Sequence, residues 1–188
     1  HWEAVPHGSR LTLGEGNTPL VRSRSIGPKA GLPNLHFKLE TGNPSGSYKD
    51  RFAAAAISHM LAAGNTTCIA TSSGNTGAAL AAYCAAAGIR CRIAVVETAP
   101  DAKLQQMMAY GAEIFRVRGF GTDPNVTRQT FERLQTVGRE PGHALQISAY
   151  AYSAPGMAGV ESIGFELAER GGASVDHVFC PAGGGGLT

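Results

Sequence analysis

Residues 68–96 read CIATSSGNTGAALAAYCAAAGIRCRIAVV, and this stretch decides the fold. Short apolar runs at Cys68 to Thr71 and Cys91 to Val96 have the length and composition of buried strands. Between them, Thr76 to Ala87 is alanine-rich and long enough for a helix, and Gly88 can adopt the left-handed conformation that ends one. A strand, a helix and a second strand in this order predict a parallel sheet covered by helices.

The same alternation continues on both sides of this stretch. Gly64 and Gly111 each follow a predicted helix, as Gly88 does. Further strands are predicted at Leu35 to Leu39, Glu113 to Val117, Leu145 to Ile147 and His177 to Cys180. Further helices are predicted at Asp50 to Ala63, Ala102 to Tyr110, Pro124 to Val137 and Val160 to Glu169. The chain is therefore predicted to be an α/β protein with open parallel sheets.

Composition narrows the classes of function. The 188 residues are 43% hydrophobic and 16% charged, which indicates a globular chain with room for one domain and part of another. The net charge of +2 is spread without basic clusters, so nucleic-acid and membrane partners are not expected. The cysteines lie in apolar segments without metal-ligand spacing, which predicts buried reduced thiols, a cytoplasmic location and no metal site; they are Cys68, Cys84, Cys91 and Cys180.

A lysine lies where a predicted strand gives way to an alanine-rich helix. The segment PSGSYKDR (residues 44–51) places Lys49 at the start of this helix. The positive end of the helix dipole disfavours an ammonium and favours the neutral amine that attacks an aldehyde. Lys49 is therefore a candidate nucleophile for a Schiff base, and the alternative is a solvated lysine in a turn.

Two further loops also follow predicted strands. The loop Ser72 to Thr76 offers hydroxyls and free backbone amides at a helix start, which is typical of an anion site, although an ordinary helix cap is an alternative. The run Gly183 to Gly186 lacks Cβ atoms and could wrap a phosphate. Its spacing fits neither the dinucleotide nor the nucleoside-triphosphate motif, and a flexible turn is the alternative. All three loops are predicted at the carboxyl ends of parallel strands, where such sheets bind ligands.

Three motifs together resemble the tryptophan-synthase-β-like superfamily, the fold-type-II enzymes that depend on pyridoxal phosphate (PLP). They are GEGNTPL (residues 14–20), PSGSYKDR (44–51) and SSGNTG (72–77), and the first is most similar to threonine synthases. The resemblance implies a PLP Schiff base at Lys49 and cofactor phosphate on Gly183, Gly184, Gly185 and Gly186. It also implies that Asn75 faces the cofactor's phenolic oxygen and that Ser72, Ser73, Gly74, Asn75 and Thr76 hold the substrate carboxylate.

The resemblance implies elimination or replacement chemistry on a small amino acid, with the conversion of O-phosphohomoserine to threonine and phosphate as the first choice. Two departures favour an alternative. PAGGGGL (residues 181–187) is similar to serine/threonine dehydratases, and Gly156 and Glu161 stand where threonine synthases carry an arginine and a lysine. Deamination of serine, threonine or diaminopropionate is therefore the second hypothesis. A catalytically silent regulatory paralogue is the third.

The implied architecture has two open parallel-sheet α/β domains with PLP in the cleft between them. Residues 1–55 and 155–188 are expected in the large domain and residues 56–154 in a small mobile domain. The sequence stops after a glycine run that should open a helix, so we expect the C-terminal part of the large domain to be missing. A homodimer is expected by resemblance to the family.

Overall fold

A four-stranded parallel sheet organises the middle of the chain in the computed structural model, which describes residues 4–171, 175–182 and 186–187. Its central strand β3 (Thr67–Thr71) is apolar and nearly fully buried, as expected for a strand covered on both faces. The other members are β4 (Arg90–Val96), β5 (Glu113–Val117) and β6 (His143–Gln146). The predicted α/β class with a parallel sheet is confirmed.

The strand order β5-β4-β3-β6 determines where a ligand can bind. The chain moves from β3 to β4 and β5 on one side, and then returns to place β6 on the other side of β3. The order of strands therefore reverses between β3 and β6. In open α/β sheets, the crevice at the carboxyl ends of the strands beside such a reversal is the usual ligand site.

The structure contains seven α-helices among the described residues. They are α1 (Ile26–Lys29), α2 (Lys49–Ala62), α3 (Asn75–Ala87), α4 (Asp101–Ala109), α5 (Pro124–Gly138), α6 (Tyr150–Val160) and α7 (Ser162–Gly171). Of these, α2, α3, α4, α5 and α7 correspond to predicted helices. Gly64, Gly88 and Gly111 have positive φ angles of 71°, 67° and 82°, so the predicted left-handed ends are confirmed. Within the described residues, no helix combines the length and hydropathy that crossing a bilayer requires.

Helix α2 lies between α3 and α6 and is buried along most of its length. The small alanine side chains of α2 and the glycines of α6 let these two helices approach each other closely. A Cβ atom at Gly159 would lie 2.3 Å from the carbonyl oxygen of Arg51, and one at Gly156 would lie 2.6 Å from the ring of Phe52. The start of α2 is therefore packed tightly against α6.

Two predicted strands differ from the structure, and helix α6 was not predicted. The strand predicted at Leu35 to Leu39 is β2 (His36–Lys38), which pairs antiparallel with β1 (Leu20–Arg22) and lies outside the parallel sheet. Residues 177–180 are exposed and unpaired among the described residues, so the strand predicted there is absent and Cys180 is not buried. The helix predicted at Val160 to Glu169 is confirmed as α7. Helix α6 before it was not predicted, because Pro155 and a kink at Ser153 interrupt the helical pattern.

Candidate functional site

The turn before α2 is folded around a buried carboxylate. Asp50 accepts hydrogen bonds from the backbone amide of Ser45 at 3.0 Å and from its hydroxyl at 2.8 Å. The amide of Ser47 donates to the same carboxylate at 3.4 Å. Burial raises the pKa of Asp50, and these hydrogen bonds oppose the rise. Asp50 thereby fixes the loop that presents the preceding residue, Lys49, at the first position of α2.

The Lys49 amine contacts a residue just after a strand of the parallel sheet. Its Nζ atom donates a hydrogen bond to the Ser148 hydroxyl at 2.9 Å and lies 4.5 Å from the centre of the Tyr48 ring. Lys49 is half-buried rather than solvated in a turn. Ser148 follows β6, so Lys49 lies at the carboxyl end of the sheet.

The loop Ser72 to Thr76, which was predicted to bind an anion, also contacts Ser148. Thr76, in the first turn of α3, is buried, and its Oγ1 atom lies 3.1 Å from the Ser148 hydroxyl. Gly74 and Asn75 are exposed on this loop, and Ser72 and Ser73 are half-buried. Among the described residues, no side chain caps the first turn of α3, so its amides remain available to an anion. Lys49, Ser148 and Thr76 form a hydrogen-bonded chain at the crevice between β3 and β6.

The glycine run is described in part. Gly183, Gly184 and Gly185 lie outside the described residues, whereas Gly186 lies inside them. A Cβ atom at Gly186 would be 2.9 Å from the Met157 Cε atom and 3.9 Å from the carbonyl oxygen of Ser148. Gly186 therefore lies beside the residue that contacts the Lys49 amine. An amine, an uncapped helix start and a backbone without a Cβ atom fit an aldehyde cofactor that carries a phosphate.

Ser148 was not predicted from the sequence. The relevant signal is a polar residue directly after a predicted strand, and many loops share that feature. Its role becomes clear only from the strand order, which places β6 beside β3. Asn75 and Ser73 lie on the same loop as Thr76 but, among the contacts of the described residues, outside the hydrogen-bonded chain that joins Thr76 to Lys49.

A buried ionic cluster supports the opposite side of α2. The Arg51 guanidinium, with its side chain 2% exposed, pairs with Glu40 at 2.8 Å and with Glu166 at 2.6 Å. The Ser162 hydroxyl accepts a further hydrogen bond from Arg51 at 2.8 Å. Burial disfavours the charge of Arg51, but the hydrogen bonds to Glu40 and Glu166 outweigh burial and raise its pKa. The cluster connects α2 to the residues before it and to α7.

The cluster predicts a loss of stability in acid. Burial disfavours the Glu166 carboxylate, but hydrogen bonds from Arg51 and Lys38 outweigh it and lower its pKa from 4.5 to about 2. Because the folded pKa is the lower one, the stabilisation is complete above pH 4.5 and is lost as the pH falls towards 2. In urea unfolding, the stability difference between wild type and Glu166→Gln should be greatest near neutral pH and shrink below about pH 4. A constant difference across that range would contradict the assignment.

Comparison with known proteins places this geometry in a family. Residues 11–188 match the family described as pyridoxal-phosphate dependent enzyme. The threonine synthase of Halalkalibacterium halodurans is 35% identical over 94% of this chain and 47% of its own length. The 2-amino-4-ketopentanoate thiolase beta subunit of Acetoanaerobium sticklandii is 35% identical over 95% of this chain and 40% of its own.

A solved structure agrees. The structure of maize serine racemase superposes with a TM-score of 0.74 at 27% identity, over 90% of this chain and 49% of that one. The chain thus spans about half the length of each of these relatives. The predicted PLP cofactor and the tryptophan-synthase-β-like fold are confirmed. The chain belongs to the family of pyridoxal-phosphate dependent enzymes of fold type II.

Proposed function

We propose that the intact protein eliminates or replaces a side-chain group of a small amino acid, and that it does so as a threonine synthase-like enzyme. The reaction would convert O-phosphohomoserine to threonine and phosphate. The observation that carries the proposal is the Lys49 amine held at 2.9 Å from Ser148, next to the uncapped start of α3. The 35% identity to a threonine synthase over 94% of the chain supports the substrate class.

Lys49 is proposed to hold the cofactor and later to move the proton at the substrate Cα. The Lys49 side chain, held near the Ser148 hydroxyl, would be the base that takes this proton when substrate and cofactor are bound. The Ser148 and Thr76 hydroxyls keep the amine oriented. PLP, when bound, supplies an electron sink for the carbon that loses the proton. Gly183 to Gly186 are proposed to hold its phosphate, and Asn75 its phenolic oxygen.

The loop Ser72 to Thr76 is proposed to bind the substrate carboxylate. The uncapped backbone amides at the start of α3 can donate hydrogen bonds to an anion, and the helix dipole of α3 adds to the attraction. We also propose that residues 56–154, which include the parallel sheet, form the small mobile domain. Residues 1–55 and 155–188 would belong to the large domain. Closure of the small domain would then bring this loop onto the carboxylate and exclude water.

A second candidate is deamination of serine, threonine or diaminopropionate. The observation that favours it is Gly156, which stands where threonine synthases carry an arginine and packs closely on α2, since an added Cβ atom would lie 2.6 Å from the Phe52 ring. With glycine at this position, a substrate phosphate would lack this cation. The glycine run of the dehydratase type points in the same direction.

Two incubations of the intact protein with PLP distinguish these candidates. Release of inorganic phosphate from O-phosphohomoserine, together with threonine formation, supports the first. Formation of 2-oxobutyrate from L-threonine without phosphate release from O-phosphohomoserine supports the second. If neither product forms, and serine and diaminopropionate also release no ammonia although PLP is bound at Lys49, both proposals fail and the silent paralogue is the remaining hypothesis.

Removing the Ser148 hydroxyl should slow the reaction without removing the cofactor. Because Ser148 orients the Lys49 amine, Ser148→Ala is expected to lower kcat by about 10- to 100-fold. Steady-state kinetics with measured PLP content tests this. Thr136→Ala on α5 is the matched control, since its hydroxyl contacts only the Glu132 carbonyl oxygen among the described residues. Equal kcat values for Ser148→Ala and wild type would contradict the role.

A methyl group at Gly77 should displace the loop. Its Cβ atom would lie 2.6 Å from the Ser72 carbonyl oxygen and 2.8 Å from the Met107 Cε atom. We expect Gly77→Ala to lower kcat/KM for the amino acid by about 10- to 100-fold, because a small misplacement of the binding loop is costly. Gly164→Ala on α7 is the control, since its added Cβ would meet no described atom within 4 Å apart from its chain neighbours and the backbone of its own helix. The two variants should differ clearly in kcat/KM, and similar values would refute this role for the loop.

A further inference from the structure

Three cysteine thiols from separate elements meet between α3 and the parallel sheet. Cys68 on β3 and Cys91 on β4 are register partners in adjacent parallel strands, so their side chains emerge on the same face of the sheet. Cys84 comes from α3, which packs on those strands. The three Sγ atoms lie within 4.8 Å of one another. The spacing of the three cysteines along the chain does not indicate this cluster, because only the fold brings the three elements together.

Within the described residues, the three thiols are buried and sulfur atoms are the only ligand atoms in the group. Cys68 and Cys84 are completely buried and Cys91 is 4% exposed. Within the described part of the chain, the group contains no carboxylate and no imidazole. Hard cations prefer oxygen ligands, and structural zinc requires a fourth ligand. Three thiol sulfurs in an apolar core instead favour a soft cation with low coordination, of which Cu(I) is the biological example.

We propose that Cys68, Cys84 and Cys91 form a trigonal binding site for a soft monovalent cation of the Cu(I) type. Binding releases thiol protons to solvent as the sulfur atoms bind the cation, with no change in oxidation state. Metal–sulfur bonds of about 2.3 Å place the sulfur atoms of a trigonal site about 4.0 Å apart. The sulfur atoms need to move by less than about 1 Å from the 4.8 Å limit. The site lies along the strands, separate from Lys49 at their carboxyl ends.

Anaerobic titration of the intact protein, with PLP bound, tests the site. Cu(I) supplied as a weak chromogenic chelate should transfer with a stoichiometry of one ion per chain, with release of protons. X-ray absorption of the loaded protein should show three sulfur neighbours and no nitrogen or oxygen. Fewer than three sulfur neighbours, or no transfer of Cu(I) from the chelate, would overturn the proposal. This measurement uses the unmodified chain, so it does not depend on whether any variant folds.

Matched variants locate the ion. Cys84→Ala removes one ligand from an alanine-rich helix and should weaken Cu(I) binding by at least about 100-fold, the loss that even outer-shell changes can reach. Cys180→Ser alters the exposed thiol and should leave binding unchanged. If Cys180→Ser abolishes binding, or Cys84→Ala retains wild-type affinity, the ion lies elsewhere and the proposal is wrong.

Discussion

Lys49→Ala is expected to lower kcat by at least about 10³-fold while the fold is retained. The half-buried amine, hydrogen-bonded to Ser148, is proposed both to hold the cofactor and to move the substrate proton. General acid–base catalysis alone contributes about 10²- to 10⁴-fold, and loss of the covalent anchor adds to this. Steady-state kinetics on the intact protein, with saturating PLP, measures the effect.

Lys29→Ala is the matched control for this variant. Lys29 lies exposed at the end of α1, so its removal should leave kcat within about twofold of wild type. Circular dichroism of both variants separates lost chemistry from lost fold. If Lys49→Ala keeps kcat within tenfold of wild type, Lys49 does not have the proposed catalytic role.

Arg51→Ala is expected to cause the largest loss of stability, about 3 to 5 kcal/mol. Its side chain is 2% exposed, and its removal leaves the Glu40 and Glu166 carboxylates without their principal cation. Breaking a buried ion pair from one side costs this much because the remaining charge stays buried and uncompensated. Equilibrium unfolding in urea at neutral pH measures the difference in the free energy of unfolding.

Arg90→Ala provides the comparison for Arg51→Ala. Arg90 pairs with Glu113 at 3.5 Å, but the Arg90 side chain is 60% exposed. Exposed pairs of this kind contribute about 0 to 1 kcal/mol. Similar losses for the two variants would show that burial does not govern the contribution of the Arg51 cluster.

The sequence predicted those elements whose signal is local. The strand Glu113 to Val117 has the predicted bounds, and β3 and β4 each begin one residue earlier than expected. The pairing of β2 depends on β1, a run of three residues that is too short to be recognised in advance. Helix α6 contains Pro155, which a helical pattern treats as a break.

The candidate site was predictable only in part. Lys49 and the loop to Thr76 have local signatures, a lysine and an anion-binding loop at helix starts. Their partner Ser148 depends on which strand lies next to β3, and that choice is made by the whole fold. The thiol cluster is a similar case, because the register between β3 and β4 aligns Cys68 with Cys91.

Borohydride reduction of the intact, active protein, followed by peptide mapping, tests the central claim most directly. Reduction makes the bond between a lysine amine and the cofactor aldehyde permanent. A pyridoxyl group on the peptide that contains Lys49, and on no other lysine peptide, is the expected result. A label on another lysine such as Lys103, or no label in protein that turns over substrate, would contradict the assignment of Lys49.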